Sequence, residues 1–161
     1  MRTLHNIDLK NNESGFTLRW QDRLILSHSA DAPCLWIGAG EADIEMFRGN
    51  FSIKDKLNEK IALTNATVTQ QSAGWAIRFT RGDAVSATLL VGVDGEGRLE
   101  LKLKNDAASH NRIWLRLAAQ PDNHIYGCGE QFSYFDLRGK PFPLWTSEQG
   151  VGRNKQTYVT W

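Results

Sequence analysis

Four short runs in the middle of the chain constrain the fold most: Leu63–Gln71, Ala73–Thr80, Ala84–Val93 and Arg98–Leu103, all rich in Thr, Val, Ile, Leu or Trp. Branched and aromatic side chains of this kind suit a pleated, half-buried surface. Between the runs stand Ser72-Ala73-Gly74, Arg81-Gly82-Asp83 and Asp94-Gly95-Glu96-Gly97, sequences that close tight turns. Trp75, Ile77 and Phe79 fall on one face of their run, as Leu99, Leu101 and Leu103 do on theirs. Strands recurring every roughly 8–12 residues with little helix predict an all-β fold, an antiparallel sandwich.

The flanks extend this pattern. Gly15–Trp20 alternates with Phe16, Leu18 and Trp20 on one side, and Arg23–Ser29 follows across Gln21-Asp22, which predicts a hairpin. Asp31-Ala32-Pro33 breaks the chain before an apolar run, Cys34–Ile37, that stops at Gly38-Ala39-Gly40. Ala42–Lys54 alternates again, with Ile44 and Met46 on one side, an interruption at Gly49-Asn50, then Phe51 and Ile53. Asp55–Ala62 reads as a short helical turn, because Leu57 and Ile61 are four apart. Asn105–Asn111 is a polar connection to a further strand, Arg112–Ala119, with Ile113, Leu115 and Leu117 inward. Arg81-Gly82-Asp83 has the form of an adhesion tripeptide but stands where a hairpin turn is expected. Gln156–Trp161 has strand composition, and a chain stopping there is expected to be a piece of a longer protein.

At 161 residues the chain is long enough for one sizeable core. Its formal net charge of +1, with Lys and Arg scattered along it, gives no basic face for nucleic acid. No apolar run approaches the about 20 residues that cross a bilayer, and the polar opening lacks a signal-peptide core. Two cysteines, Cys34 and Cys128, are too few for a disulfide framework, so a reduced, cytoplasmic setting is expected. His5, His28, His110 and His124 show no metal-ligand spacing, so no metal or other cofactor is expected.

Ile125–Arg153 departs from the strand pattern, being dense in aromatic rings, prolines and glycines. Its carboxylates are Glu130, Asp136 and Glu148. Glycoside hydrolysis needs two carboxylates across the scissile bond, and Glu130 and Glu148 are the pair that folding could bring together. The competing reading, which the flanking Gly127 and Gly129 favour, makes Glu130 a structural partner of Arg138 or of backbone donors. Trp145, Tyr134 and Phe142 could stack on sugar rings or simply pack beneath the loop. His124 could form an acid–base pair with Glu130, although a strand-end histidine bonded to backbone is the simpler reading. Gly150–Lys155 lacks the spacing of a phosphate loop.

Tyr126-Gly127-Cys128-Gly129-Glu130, then Asp136-Leu137-Arg138-Gly139-Lys140, then Pro143-Leu144-Trp145, resembles the YGxGE…LRGK…LW pattern of glycoside hydrolase family 31, the α-glucosidase and α-xylosidase family. Through the longer run to Trp161 the chain resembles the bacterial sulfoquinovosidase branch, and the resemblance covers nearly its whole length. It implies a galactose-mutarotase-like β-sandwich (a supersandwich) over residues 1–161, the N-terminal domain of a longer retaining α-glycosidase. The catalytic (β/α)8 barrel, with its Asp nucleophile and Asp acid/base, would lie outside this chain. The implied partners are that barrel and an α-glycoside substrate, a sulfosugar in this branch, with the oligomeric state left open. The resemblance makes Glu148, Gln149 and Trp145 the substrate-binding residues of a loop that reaches the barrel. Glu148 stands where the family pattern has Asp. Gly127, Gly129, Glu130 and Arg138 become the structural motif, and Ser147–Gln156 is expected to be mobile without the barrel. The alternative is a free-standing sugar-binding or aldose-mutarotase-like module.

Overall fold

A computed structural model of the chain describes residues 6–13, 15–47, 50–82, 85–106, 108–127 and 134–140. Within them lie the strands β1 Ile7–Asn12, β2 Gly15–Trp20, β3 Arg23–Ser29, β4 Leu35–Phe47, β5 Asn50–Ala62, β6 Asn65–Gln71, β7 Gly74–Arg81, β8 Val85–Val93, β9 Leu99–Asn105 and β10 Arg112–Leu115. They form three sheets, ordered β1-β2-β3, β10-β4-β5 and β6-β7-β8-β9. The neighbours in the first and third sheets, and β10 with β4, pair antiparallel. No helix occurs among the described residues. The all-β, antiparallel expectation is met.

The chain divides into two compact units, one of Met1–Glu41 with Leu57–Ala119 and one of Ala42–Lys56 with Gln120–Trp161. In the first, alternate residues of β2, β3, β7 and β8 meet in a single core. Phe16, Leu18, Leu26, Ile77, Phe79, Ala87, Leu89 and Val91 are all at most 2% exposed. The Phe16 and Phe79 rings meet edge to face with centroids 5.8 Å apart. Trp20, Trp75, Leu99, Leu101 and Leu103 close its margin. Each large side chain so buried contributes about 1.5–3 kcal/mol, which makes this core the main source of the fold's stability.

One polar group sits in that core. The His28 ring stacks on Phe16 at 5.5 Å and meets Phe79 at 5.1 Å. Its Nδ1 accepts from the Cys34 amide at 3.3 Å, and its Nε2 lies 3.2 Å from the Thr64 carbonyl oxygen. The amide can only donate, so Nδ1 is the acceptor and Nε2 carries the proton. Burial lowers the His28 pKa below the ordinary value, outweighing the Thr64 hydrogen bond that favours the cation, and the Arg116 charge acts in the same direction as burial. The ring is therefore a neutral bridge between three segments. Burial also pushes the Cys34 thiol up to about 11, which leaves it protonated and unreactive.

Local chemistry explains the turns. Gln21 and Asp22 have φ of 48° and 64°, the left-handed pair that a two-residue hairpin requires. At the β8–β9 turn Asp94 accepts from the Glu96 and Arg98 amides and from Arg98 Nε. Those Arg98 bonds and then the Glu96 amide hold its carboxyl at about 2.

The polar opening contains β1, which pairs with β2 from Ile7↔Trp20 to Asn12↔Gly15. Three local expectations are corrected. Gly38-Ala39-Gly40 does not end a strand, because β4 runs through it. Asp55–Ala62 is extended within β5, not helical. Of Arg112–Ala119 only Arg112–Leu115 is strand, and Ile113 and Leu117 are exposed rather than inward. Gln156–Trp161 lies outside the described residues.

Gly38 has a packing role in the middle of β4. A Cβ there would overlap the Glu59 carbonyl oxygen and stand 2.9 Å from the Trp114 ring. Two residues further, the Asn111 side chain bonds Gly40 as a peptide would, accepting from its amide at 3.1 Å and donating to its carbonyl at 3.0 Å. Gly38 thus lets Trp114 of β10 and the backbone of β5 lie close against β4, and the Asn111 bonds fasten the connection before β10 to its backbone.

Candidate functional site

The second unit contains the stretch that the sequence marks as unusual, and one carboxylate organises its described part. Asp136 Oδ1 accepts from the Ile125 amide at 3.1 Å and from the Arg138 amide at 3.0 Å. Its other oxygen, Oδ2, is 2.7 Å from His124 Nδ1. The bond to Arg138 two residues on is an Asx turn, a local closure open to Asp and Asn. Arg138 completes the clamp, its Nη1 donating to the carbonyls of Gln120 at 2.6 Å and Asn123 at 2.7 Å. The Leu137 amide donates to the Ile125 carbonyl at 2.8 Å, and the Leu137 side chain is buried. Two segments without strand structure are in this way tied side by side.

Charge follows from these contacts. The His124 hydrogen bond, followed by the Arg138 and Ile125 amides, holds the Asp136 carboxyl at about 2. A carboxylate with both oxygens engaged and so low a pKa is a poor proton donor. Its chemistry is that of a strut. Around it the aromatic rings stay open to solvent: His124 stacks on Tyr126 at 6.0 Å, and Tyr126 meets Phe135, itself 87% exposed, at 5.1 Å. Lys140 Nζ stands 4.9 Å from the Tyr134 ring centre.

Of the residues singled out by sequence, His124, Gly127, Tyr134, Asp136 and Arg138 are described, Gly127 with a φ of 100°. Gly129, Glu130, Phe142, Trp145, Glu148 and Gln149, with the rest of Ser147–Gln156, lie outside the described residues. His124 is held by a carboxylate rather than by backbone, which corrects the simpler reading of it. Asp136 was visible only as one of three carboxylates, and its organising role was missed. The signal was present in Asp136-Leu137-Arg138-Gly139, an Asx-turn sequence whose Gly139 has a φ of 65°. Among the described residues no group of three or more His, Cys, Asp or Glu is placed to hold a metal ion.

The antiparallel sheets and the buried core of the first unit define an all-β domain. Residues 10–161 match the glycosyl hydrolase 31 N-terminal galactose mutarotase-like domain, and the chain belongs to that family. It is 74% identical over 152 residues to a sulfoquinovosidase of Escherichia coli (strain K12), covering 94% of this chain and 22% of that protein. It is 43% identical over 148 residues to a sulfoquinovosidase of Agrobacterium fabrum, covering 92% of this chain and 21% of that protein. A solved structure of a family-31 sulfoquinovosidase from E. rectale, in complex with the aza-sugar inhibitor IFGSQ, superposes with a TM-score of 0.73 at 38% identity, covering 94% of this chain and 22% of that one. The chain therefore spans about a fifth of the length of these relatives.

Proposed function

We propose that the chain is the N-terminal accessory domain, residues 1–161, of a longer retaining α-glycosidase that hydrolyses sulfoquinovosides. The observation that carries this reading is the 74% identity with the E. coli sulfoquinovosidase across 94% of the chain. Retention requires two carboxylates about 5–5.5 Å apart, one of them a nucleophile. In this reading both belong to a catalytic barrel beyond Trp161. The domain's part is to complete the sugar pocket with a loop in which Glu148 and Gln149 contact substrate and Trp145 anchors the turn. The Asp136–Arg138 clamp supplies a fixed base from which that loop departs.

The test compares two polypeptides on an aryl α-sulfoquinovoside. The 161-residue chain is expected to give no turnover, and the longer protein containing it to give turnover by retention. Hydrolysis by the 161-residue chain alone overturns the assignment. In the longer protein Glu148→Ala is expected to lower kcat/KM by at least tenfold, on the order of one charge-assisted hydrogen bond. An unchanged kcat/KM would mean that the loop does not touch substrate.

A further inference from the structure

In the first unit, one face of the β10-β4-β5 sheet combines aromatic surface with positive charge. Trp36 and Trp114 are register partners across β4 and β10, on the side opposite the buried Leu35 and Ile37. Lys60 of β5 lies over both rings, with Nζ 4.6 Å from the Trp114 centre and 5.6 Å from that of Trp36. The Arg116 guanidinium stands 5.4 Å from the Trp36 centre, and its Nη2 donates to the Ala32 carbonyl at 3.1 Å. Arg112 faces the same way, as the register partner of Gly38. Lys60 and Arg116 are both exposed. The aligned positions of β10 and β4 on this face, Arg112, Trp114, Trp36 and Gly38, include no acid.

Packing alone accounts for the alkyl stem of a lysine against indole. It does not require two cations on one Trp pair in a chain whose net charge is only +1. An ammonium above a ring keeps hydrogens directed away from it, and the guanidinium spends only part of its donor set on Ala32. Together the groups offer indole surface for the C–H face of a sugar ring and adjacent cationic donors for an anionic substituent.

We propose that Trp36, Trp114, Lys60 and Arg116 form a carbohydrate-binding surface for sulfonated glycosides. The choice of sugar rests on the substrate class inferred above, while the site itself rests on this geometry. Lys60 and Arg116 hold the sulfonate, and the indoles supply the stacking surface. The surface concentrates substrate on the domain and takes no part in bond cleavage.

The test is calorimetric titration of the 161-residue chain with methyl α-sulfoquinovoside, methyl α-glucoside and sodium methanesulfonate. Saturable binding of the sulfonated glycoside is expected, at least tenfold tighter than either of the other two. Lys60→Met keeps the alkyl stem over Trp114 and is expected to weaken it at least tenfold, with near-ultraviolet circular dichroism unchanged. Trp36→Phe, which retains ring packing, is expected to weaken it by a smaller factor. Equal affinity for methanesulfonate shows an adventitious ion only and overturns the proposal. So does an absence of binding, or binding unaltered by Lys60→Met. Binding lost on Glu148→Ala but kept by Lys60→Met also overturns it, while leaving the pocket-loop assignment standing.

Discussion

The imidazole of His124 and the carboxylate of Asp136 meet at 2.7 Å across a separation of 12 residues, and the same carboxylate receives the amides of Ile125 and Arg138. All three contacts favour the ionised form, which is why the Asp136 carboxyl sits at about 2 against an ordinary 3.8. A folded-state pKa below the unfolded one gives stability that is present above the unfolded value and lost as pH falls through the folded value. The loop should therefore keep its order at about pH 5 and loosen between about pH 4 and pH 2. Amide exchange at Ile125 and Arg138, corrected for intrinsic rates, reads this directly. Asp136→Asn should lower their protection at neutral pH, and unaltered protection would remove Asp136 from the centre of the loop.

His28 predicts a second, separate acid response. Its pKa is lowered by burial, so below about pH 6.5 the unfolded chain takes up a proton that the folded chain refuses. Stability is then whole above the ordinary histidine value and falls as the pH drops toward the folded one. Urea midpoints should decline from about pH 7 to pH 5. His28→Leu should flatten this dependence. It should also cost about 1–3 kcal/mol, because the buried Cys34 amide, whose acceptor His28 supplies, is left without a partner.

Much of the β architecture was legible because alternation is a direct consequence of strand geometry. The Ile77–Phe79 and Phe16–Leu18 faces are buried as their spacing implied. Where reading failed, the pattern was shared by two structures. Leu57 and Ile61 are four apart, which fits one helical turn and equally two strand repeats, and β5 takes the second. Gly38 looked like punctuation because its reason for being glycine lies in β10 and β5, distant in sequence. The clamp at Asp136 was obscured similarly, since its partners His124 and Ile125 lie more than ten residues away.

The core predicts its own weak point. Phe79 is fully buried and touches both Phe16 and His28, so Phe79→Ala removes ring contacts on two sides. A loss of about 3–5 kcal/mol is expected, a large part of a small domain's stability. Phe79→Leu should cost less, because it leaves a smaller cavity. Denaturation curves that rank the two variants in the opposite order would mean that the site relaxes around the missing ring.

Two glycine substitutions separate space from backbone strain. At Gly38 a methyl group would meet the Glu59 carbonyl oxygen and the Trp114 ring, and backbone on one side cannot swing away as a side-chain tip can. Gly38→Ala should therefore cost about 1–3 kcal/mol or more, as overpacking does. It should also move the Trp114 indole, which is observable as a shift of its side-chain N–H resonance. Gly97, at the β8–β9 turn, has open space where a Cβ would stand but a φ of 82°. Gly97→Ala should cost about 1–2 kcal/mol through that backbone alone, with the Trp114 resonance unmoved. If both variants lose the same stability and neither shifts the indole, the close approach of β10 and β5 to Gly38 is not what keeps a glycine in the middle of β4.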